Sequence, residues 1–177
     1  MRVRKFVIFG LLFLLFPSAF SQAAISIPFK TVEQGEISYY RYSDPVFTGM
    51  DMLIRDRKTW AYFWTQHTAG ITPQPPLPDI RFWEEMVAVT ILGHQTSGGG
   101  PSTKVLAVNT DRESKCLHVL VEDNEVPGPL CVITNPFHII KLKKINADSV
   151  VFEHQRAPEA TLSVTDDNTP AKNDFRN

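Results

Sequence analysis

The sequence predicts a single α+β domain in which a mainly antiparallel β-sheet carries one amphipathic helix. Two observations predict this class. Apolar residues recur with clear helical spacing in only one segment, and that segment precedes a series of short runs rich in branched apolar residues. Strands that follow one another, rather than alternating with helices, are typical of an antiparallel sheet. We place the domain at residues 24–155 and find no internal repeat.

The stretch before the helix is rich in aromatic residues. Residues 24–34 predict a poorly ordered lead-in to the domain. The following "GEISYYRYSDPVFTG" predicts a strand that turns at Asp44-Pro45, because this dipeptide favours turns.

The clearest element is a helix in "RDRKTWAYFWTQHTAG". Asp56 is its predicted N-cap, and Gly70 fits the position just past its end. Four large side chains share one face at i, i+3, i+4 and i+7: Trp60, Phe63, Trp64 and His67. We expect this face to lie against the sheet, and stacking of these aromatic rings on a ligand is the alternative.

Strands are predicted in the apolar runs that follow a stiff, proline-rich connector, "ITPQPPLPD". The first is "MVAVTILG", a buried strand, and the next two, "TKVLAVNT" and "CLHVLVED", predict a hairpin around the polar turn "DRESK". Three more are predicted in "LCVIT", "FHIIKLKK" and "SVVFEHQ", the first two of which are separated by Asn135-Pro136. Residues 156–177 are mostly polar and contain prolines, so they predict a disordered tail.

The N-terminus has the layout of a cleavable secretory signal peptide over residues 1–23. Three basic side chains precede an apolar run from Phe6 to Phe16, and small residues stand at the −3 and −1 positions before a cleavage point after Ala23. The run is too short for a membrane-spanning helix, which needs about 20 apolar residues. No cysteine lies near the cleavage point to carry a lipid, so the sequence predicts a periplasmic or secreted protein.

The charge balance restricts the partners. Removing residues 1–23 from 177 leaves 154, with 15 of the 18 basic side chains against all 19 acidic ones, a net charge of about −4. A mildly acidic surface without a basic stripe argues against nucleic acid as a partner. We also expect no stable membrane insertion and no cofactor, since the chain shows neither a second long apolar run nor a cofactor motif.

The segment "HQTSGGGPSTK" (residues 94–104) is the first candidate for chemistry. A phosphate-binding P-loop requires Gly-Lys-Ser/Thr leading into a helix, but here a proline and then a strand pattern follow the glycines. A nucleophile elbow requires glycine two residues before the serine, and Gln95 stands there instead. We interpret the segment as a partner-binding loop with no catalytic role, formed by Thr96, Ser97, Gly98, Gly99 and Gly100.

The two cysteines, Cys116 and Cys131, predict a disulfide in an exported chain, with two buried thiols as the alternative. Zinc held by both cysteines with His118 and His138 is disfavoured, because seven residues of extended strand separate Cys131 from His138. The other histidines, His67, His94 and His154, form no recognisable triad with an acidic residue in the sequence.

Three segments together resemble the C-terminal domain of the PrcB family of bacterial exported proteins: "RDRKTWAYFW", "MVAVTILGHQTSGG" and "VLVEDNEVPGPLCVITNPFHIIKLKK". The resemblance covers residues 50–145. It includes the apolar strand that ends in Gly93, the turn of residues 96–99, and Pro136 before an apolar strand. Gly100-Pro101 stands where the family usually has an aromatic residue. The resemblance implies an accessory subunit of a protease complex rather than a catalyst.

We therefore expect a non-catalytic extracytoplasmic module that binds another protein, an extracytoplasmic protease or another envelope protein. The alternatives are a protease inhibitor that presents the loop of residues 96–100, and a hydrolase whose site the sequence does not reveal. A carbohydrate or small-ligand binder that uses Trp60, Trp64 or Trp83 is a further alternative.

Overall fold

The computed structural model describes residues 24–97, 100, 102–111, 115–124 and 132–158. One helix, α1 (Arg57–His67), accompanies ten strands in the described part of the chain. The strands are β1 (Ile25–Ser26), β2 (Phe29–Gly35), β3 (Met50–Ile54), β4 (Glu85–Ile91), β5 (Gln95–Ser97), β6 (Ser102–Asp111), β7 (Cys116–Asn124), β8 (Val132–Thr134), β9 (Phe137–Lys143) and β10 (Ser149–Arg156). The predicted class, mainly β with one helix in a single α+β domain, is confirmed.

The strands form two four-stranded sheets and a ribbon. The central sheet has the order β2-β9-β4-β3, and all its pairs are antiparallel. The outer sheet has the order β1-β6-β7-β10, and β6 and β7 form the predicted hairpin. Its last strand, β10, runs parallel to β7, so the outer sheet is mixed. A short two-stranded ribbon joins β5 to β8.

Strand β4 lies at the middle of the molecule, because both of its faces are buried. Met86 and Ala88 point into a core between the two sheets, together with Val119 of β7. Val87 and Val89 point to the opposite face and into a second core beneath the helix. Alternate side chains of a strand point to opposite faces, so the continuous apolar run "MVAVTI" suits a strand covered on both sides. The layers are therefore helix, central sheet and outer sheet.

The predicted helix is confirmed in its start and in its buried face. The carboxylate of Asp56 accepts a hydrogen bond from the N–H of Thr59 at 2.9 Å, which caps the N-terminus. The predicted four side chains are the buried ones: Trp60, Phe63, Trp64 and His67. The indole N–H of Trp60 donates to the Pro78 carbonyl at 3.0 Å, so the proline-rich connector lies over the helix.

Two expectations for the N-terminal part are wrong. Residues 24–34 are not a poorly ordered lead-in, since they supply β1 and most of β2, the edge strand of the central sheet. The aromatic stretch that follows is not a strand but a series of turns, anchored by the hydrogen bond from the N–H of Tyr39 to the His67 carbonyl at 3.0 Å. Both differences arise because partners distant in sequence decide which segments pair.

Two glycines allow the chain to cross itself beside β4. Gly49 and Gly93 have φ of 113° and 85°, values that favour glycine. A Cβ on Gly93 would lie 2.5 Å from the carbonyl carbon of Thr48, so no side chain fits there. This backbone contact fixes the direction in which the chain leaves β4 toward β5.

The predicted ends of the domain fall partly outside the described residues. The signal peptide at 1–23 and residues 159–177 of the predicted tail are not described. Strand β10 continues through Arg156, one residue beyond the predicted boundary at 155. Within the described ranges, no helix is both long and apolar enough to cross a membrane.

Candidate functional site

The loop predicted to bind a partner begins on the β5–β8 ribbon. Thr96 and Ser97 belong to β5 and pair with Ile133 and Val132, so they lie in a strand rather than in a free turn. Gly100 has φ of 105°, which a residue with a side chain rarely adopts. The other two residues of the predicted loop, Gly98 and Gly99, lie outside the described residues. The ribbon thus carries the first part of the predicted site.

The ribbon is attached to the aromatic segment 36–46 by hydrogen bonds to β8 and the residue after it. The hydroxyl of Tyr42 donates to the carbonyl of Ile133 at 3.0 Å. The side-chain amide of Asn135 donates to the carbonyl of Ser38 at 2.8 Å. These bonds make the ribbon and segment 36–46 one surface, although about ninety residues separate them in sequence.

This surface exposes apolar side chains. Val46 is 77% exposed, Ile133 is 49% exposed, and Ile37 is 39% exposed. We call these three residues, together with Thr96, the ribbon patch. Beside it, Arg41 forms an ion pair with Asp44. A hydrogen bond from the N–H of Val46, and secondarily that ion pair, lowers the pKa of the Asp44 carboxyl.

Buried polar atoms near the ribbon lack partners within the described part of the chain. They are Nε2 of His94, Oγ1 of Thr134 and Oδ1 of Asn135. Buried polar groups are normally hydrogen-bonded, to protein or to ordered water. We expect ordered water at the base of the ribbon, because the fold leaves these groups unpaired.

A serine, a histidine and a glutamate that the sequence did not connect meet at the end of α1. Nδ1 of His67 lies 2.8 Å from the Ser38 hydroxyl oxygen, and Nε2 lies 3.3 Å from a carboxylate oxygen of Glu33. Burial lowers the pKa of His67, against the opposing effect of Glu33. A neutral ring that donates from Nε2 to Glu33 accepts a hydrogen bond from the Ser38 hydroxyl at Nδ1.

This array does not have the accessibility of a catalytic triad. Ser38 is completely buried and its hydroxyl oxygen also accepts the N–H of Tyr40 at 3.3 Å, so no substrate reaches it in this conformation. What the array does is connect β2 to the last residue of α1. No sequence signal distinguishes it, since Glu33, Ser38 and His67 share neither a motif nor a characteristic spacing.

A second histidine bridges the two sheets. Nδ1 of His154 lies 2.6 Å from a carboxylate oxygen of Asp123, and Nε2 lies 2.9 Å from one of Asp51. Burial opposes protonation of His154, but the hydrogen bonds to Asp123 and Asp51 outweigh it and raise the pKa of the ring. Because both ring nitrogens are engaged, we interpret His154 as a cationic link between β10, β7 and β3.

The two histidines of the disfavoured zinc set lie in different surroundings. His118 lies at the surface, 2.7 Å from Glu153, whereas His138 is buried and accepts the N–H of Val105 at Nδ1. In the described part of the chain, no group of three His, Cys, Asp or Glu residues is arranged to hold a metal ion. Cys116 is buried in β7 and Cys131 lies outside the described residues, so the disulfide stays a prediction.

Comparisons of the chain with family models, with curated proteins and with solved structures find no match. The resemblance to the PrcB family therefore stays a prediction that rests on the three quoted segments.

Proposed function

We propose that the chain is a non-catalytic, extracytoplasmic protein-binding module that contacts its partner through the ribbon patch. The observation that carries the proposal is the group of exposed apolar side chains at one end of the central sheet: Ile37, Val46 and Ile133. Exposed apolar side chains that are close together are typical of interaction surfaces, whereas isolated ones are common on any protein.

The main chain of the ribbon supports the same interpretation. Within the described residues, β5 pairs only with β8, so its other edge has no neighbouring strand. Strand β8 is different, because its Ile133 carbonyl and the adjoining Asn135 are already bonded to segment 36–46. The free edge of β5 offers N–H and C=O groups to an extended segment of another protein, a common mode of peptide recognition. Apolar side chains beside the edge then provide the contacts that select the segment.

The partner follows from the family resemblance, which implies a protease complex. An accessory subunit binds the protease away from its active site, whereas an inhibitor inserts a loop into it. The inhibitor is the second candidate, because the glycine-rich stretch at 98–100 directly follows β5 in the sequence.

Site-specific photo-crosslinking tests the surface. A photo-reactive residue at position 133 of the mature protein should give a crosslink to one extracytoplasmic protein. The matched control is position 151 on β10, where valine is 42% exposed but lies in the outer sheet. Ile133→Asp should abolish co-purification of that protein. Equal crosslinking from the two positions, or binding unchanged by Ile133→Asp, would contradict the proposed surface.

The activity of a captured protease distinguishes the two candidates. Retained activity supports an accessory subunit, and lost activity supports an inhibitor. Ser97→Ala should leave binding unchanged in either case, since no reaction depends on the hydroxyl. Ester or peptide hydrolysis by the purified chain that disappears in the Ser38→Ala variant would overturn the non-catalytic assignment.

A further inference from the structure

An open groove lies at the other end of the central sheet from the ribbon patch. Strand β4 runs from the groove at Glu85 to the ribbon side at Ile91, a distance of about 20 Å at about 3.3 Å per residue. The groove has a volume of about 640 Å³, within the range of small-ligand sites. The turn at 81–84 forms one wall, and the neighbouring residues Lys30 and Lys141 of β2 and β9 line its floor.

Trp83 is the most unusual side chain of the groove. Its indole is 73% exposed, whereas Trp60 and Trp64 are 1% and 6% exposed and donate their N–H groups to carbonyls of the connector. The turn that carries Trp83 is held by hydrogen bonds from the N–H groups of Glu84 and Glu85 to the Arg81 carbonyl, at 2.8 and 2.7 Å. A large apolar ring is thus held at the surface by a well-defined backbone.

The groove is positively charged in a chain that is slightly negative. Five of its lining residues are basic and two are acidic, although the whole sequence has a net charge of −1. Glu85 accepts Nζ of Lys141 at 3.1 Å and the N–H of Arg81 at 3.0 Å, and Glu84 accepts the Arg81 guanidinium at 3.0 Å. The hydrogen bond from the Arg81 N–H, together with Lys141, lowers the pKa of the Glu85 carboxyl.

Three of the basic side chains are not neutralised by a carboxylate of the described residues. No carboxylate of the described residues lies within ion-pair distance of Lys30 or Lys143. Lys144 donates to the carbonyl of Phe82 at 2.8 Å and leaves its charge uncompensated as well. These three lysines line the same groove as the exposed indole of Trp83, and this combination suits a ligand that is both anionic and flat on one face.

We propose that this groove binds an acidic glycan, with a pyranose ring stacked on Trp83 and carboxylates paired with Lys30 and Lys143. The apolar C–H face of a sugar ring covers an indole, and its hydroxyls both donate and accept hydrogen bonds. Sugar hydroxyls can therefore donate hydrogen bonds to the carboxylate of Glu84, which also lines the groove. A phosphate backbone has no donor for a carboxylate, so it suits this groove less well. The overall acidic charge of the chain argues further against nucleic acid.

The test uses the mature protein and three probes of similar length: a galacturonic acid hexamer, the neutral cellohexaose and a hexaglutamate peptide. Only the galacturonic acid hexamer should bind tightly and change the tryptophan emission, because Trp83 is the exposed indole. Binding should weaken as salt is raised, since the ion pairs are at the surface. Equal or tighter binding of hexaglutamate would show that the groove is an acidic-peptide site. If the galacturonic acid hexamer causes no change in tryptophan emission, no glycan stacks on Trp83. Either result overturns the proposal.

Variants locate the site. Trp83→Ala should weaken hexamer binding by roughly tenfold or more, and Lys30→Gln with Lys143→Gln should do the same and reduce the salt dependence. The matched controls are Tyr62→Ala, an aromatic residue that is 64% exposed on α1, and Lys104→Gln, an exposed lysine on β6. Both controls should bind as the parent does. Thermal melts confirm that each variant is folded, and a Trp83→Ala protein that is folded and binds normally contradicts the assignment.

Discussion

The stability of the fold should fall between pH 7 and pH 5 because His138 is buried as a neutral ring. Nε2 of His138 lies 2.9 Å from the hydroxyl of Thr31, and Nδ1 accepts the N–H of Val105 at 2.8 Å. The ring therefore joins β9 to β2 and to β6 of the outer sheet. Burial, assisted by the positive charge of Lys104, lowers the pKa of His138 to about 4.

The size of the effect follows from the two pKa values. The unfolded chain binds a proton at His138 below about pH 6.5, but the folded protein does so only below about pH 4. The stability that neutral His138 confers is therefore complete above pH 6.5 and is lost as the pH falls toward 4. The full difference is worth about 3 kcal/mol, of which about 2 kcal/mol is lost between pH 7 and pH 5.

Urea unfolding followed by tryptophan fluorescence measures this loss. The free energy of unfolding of the parent should drop by about 2 kcal/mol more than that of His138→Gln over the same pH interval. His67 is present in both proteins, so its own depressed pKa cancels in the comparison. If the two proteins lose the same free energy, His138 does not titrate as the structure implies, and the argument from burial is refuted.

Three other predictions concern single features. His154→Gln should destabilise the protein by about 1 kcal/mol or less at pH 6 and by a smaller amount at pH 9, because a histidine with a raised pKa stabilises the fold only while its ring is protonated. Chemical denaturation at both pH values measures the two losses, and equal losses would contradict the cationic link. Gly93→Ala should cost about 2 kcal/mol or more in a thermal melt, because its positive φ and the missing space both oppose a side chain, and an unchanged melt would refute the close approach. Mass spectrometry of the native product should show an N-terminus near Ala24. The same measurement should give a mass two hydrogens below that of the reduced form, because we expect a disulfide between Cys116 and Cys131, which should stabilise the fold by about 3 kcal/mol. Alkylation of both thiols without reductant would exclude the disulfide.

The sequence predicted best the elements whose signals are local. The helix satisfies several local rules at once, from the cap at Asp56 to the four-residue apolar face, and both were confirmed. The hairpin of β6 and β7 was predicted equally well because a short polar turn joins two runs of branched residues. By contrast, β2 has only weak strand propensity and pairs with β9 about a hundred residues later. Nothing local identifies such a strand.

The candidate sites show the same division. The glycine-rich segment drew attention to the ribbon, but the apolar side chains that make it a surface come from residues 37, 46 and 133. The hydrogen-bonded array of Glu33, Ser38 and His67 was missed entirely, because its members are separated by other elements.

The sequence by itself determined the class of the fold, the helix and its buried face, and the position of the double-covered strand β4. These depend on the periodicity of side chains along the chain, which neighbouring residues specify. The tertiary structure alone decided the mixed outer sheet, the groove around Trp83 and the histidine links between layers. Each of these requires segments distant in sequence to meet, and the free energy of such a meeting depends on how the complete core is assembled rather than on any local pattern.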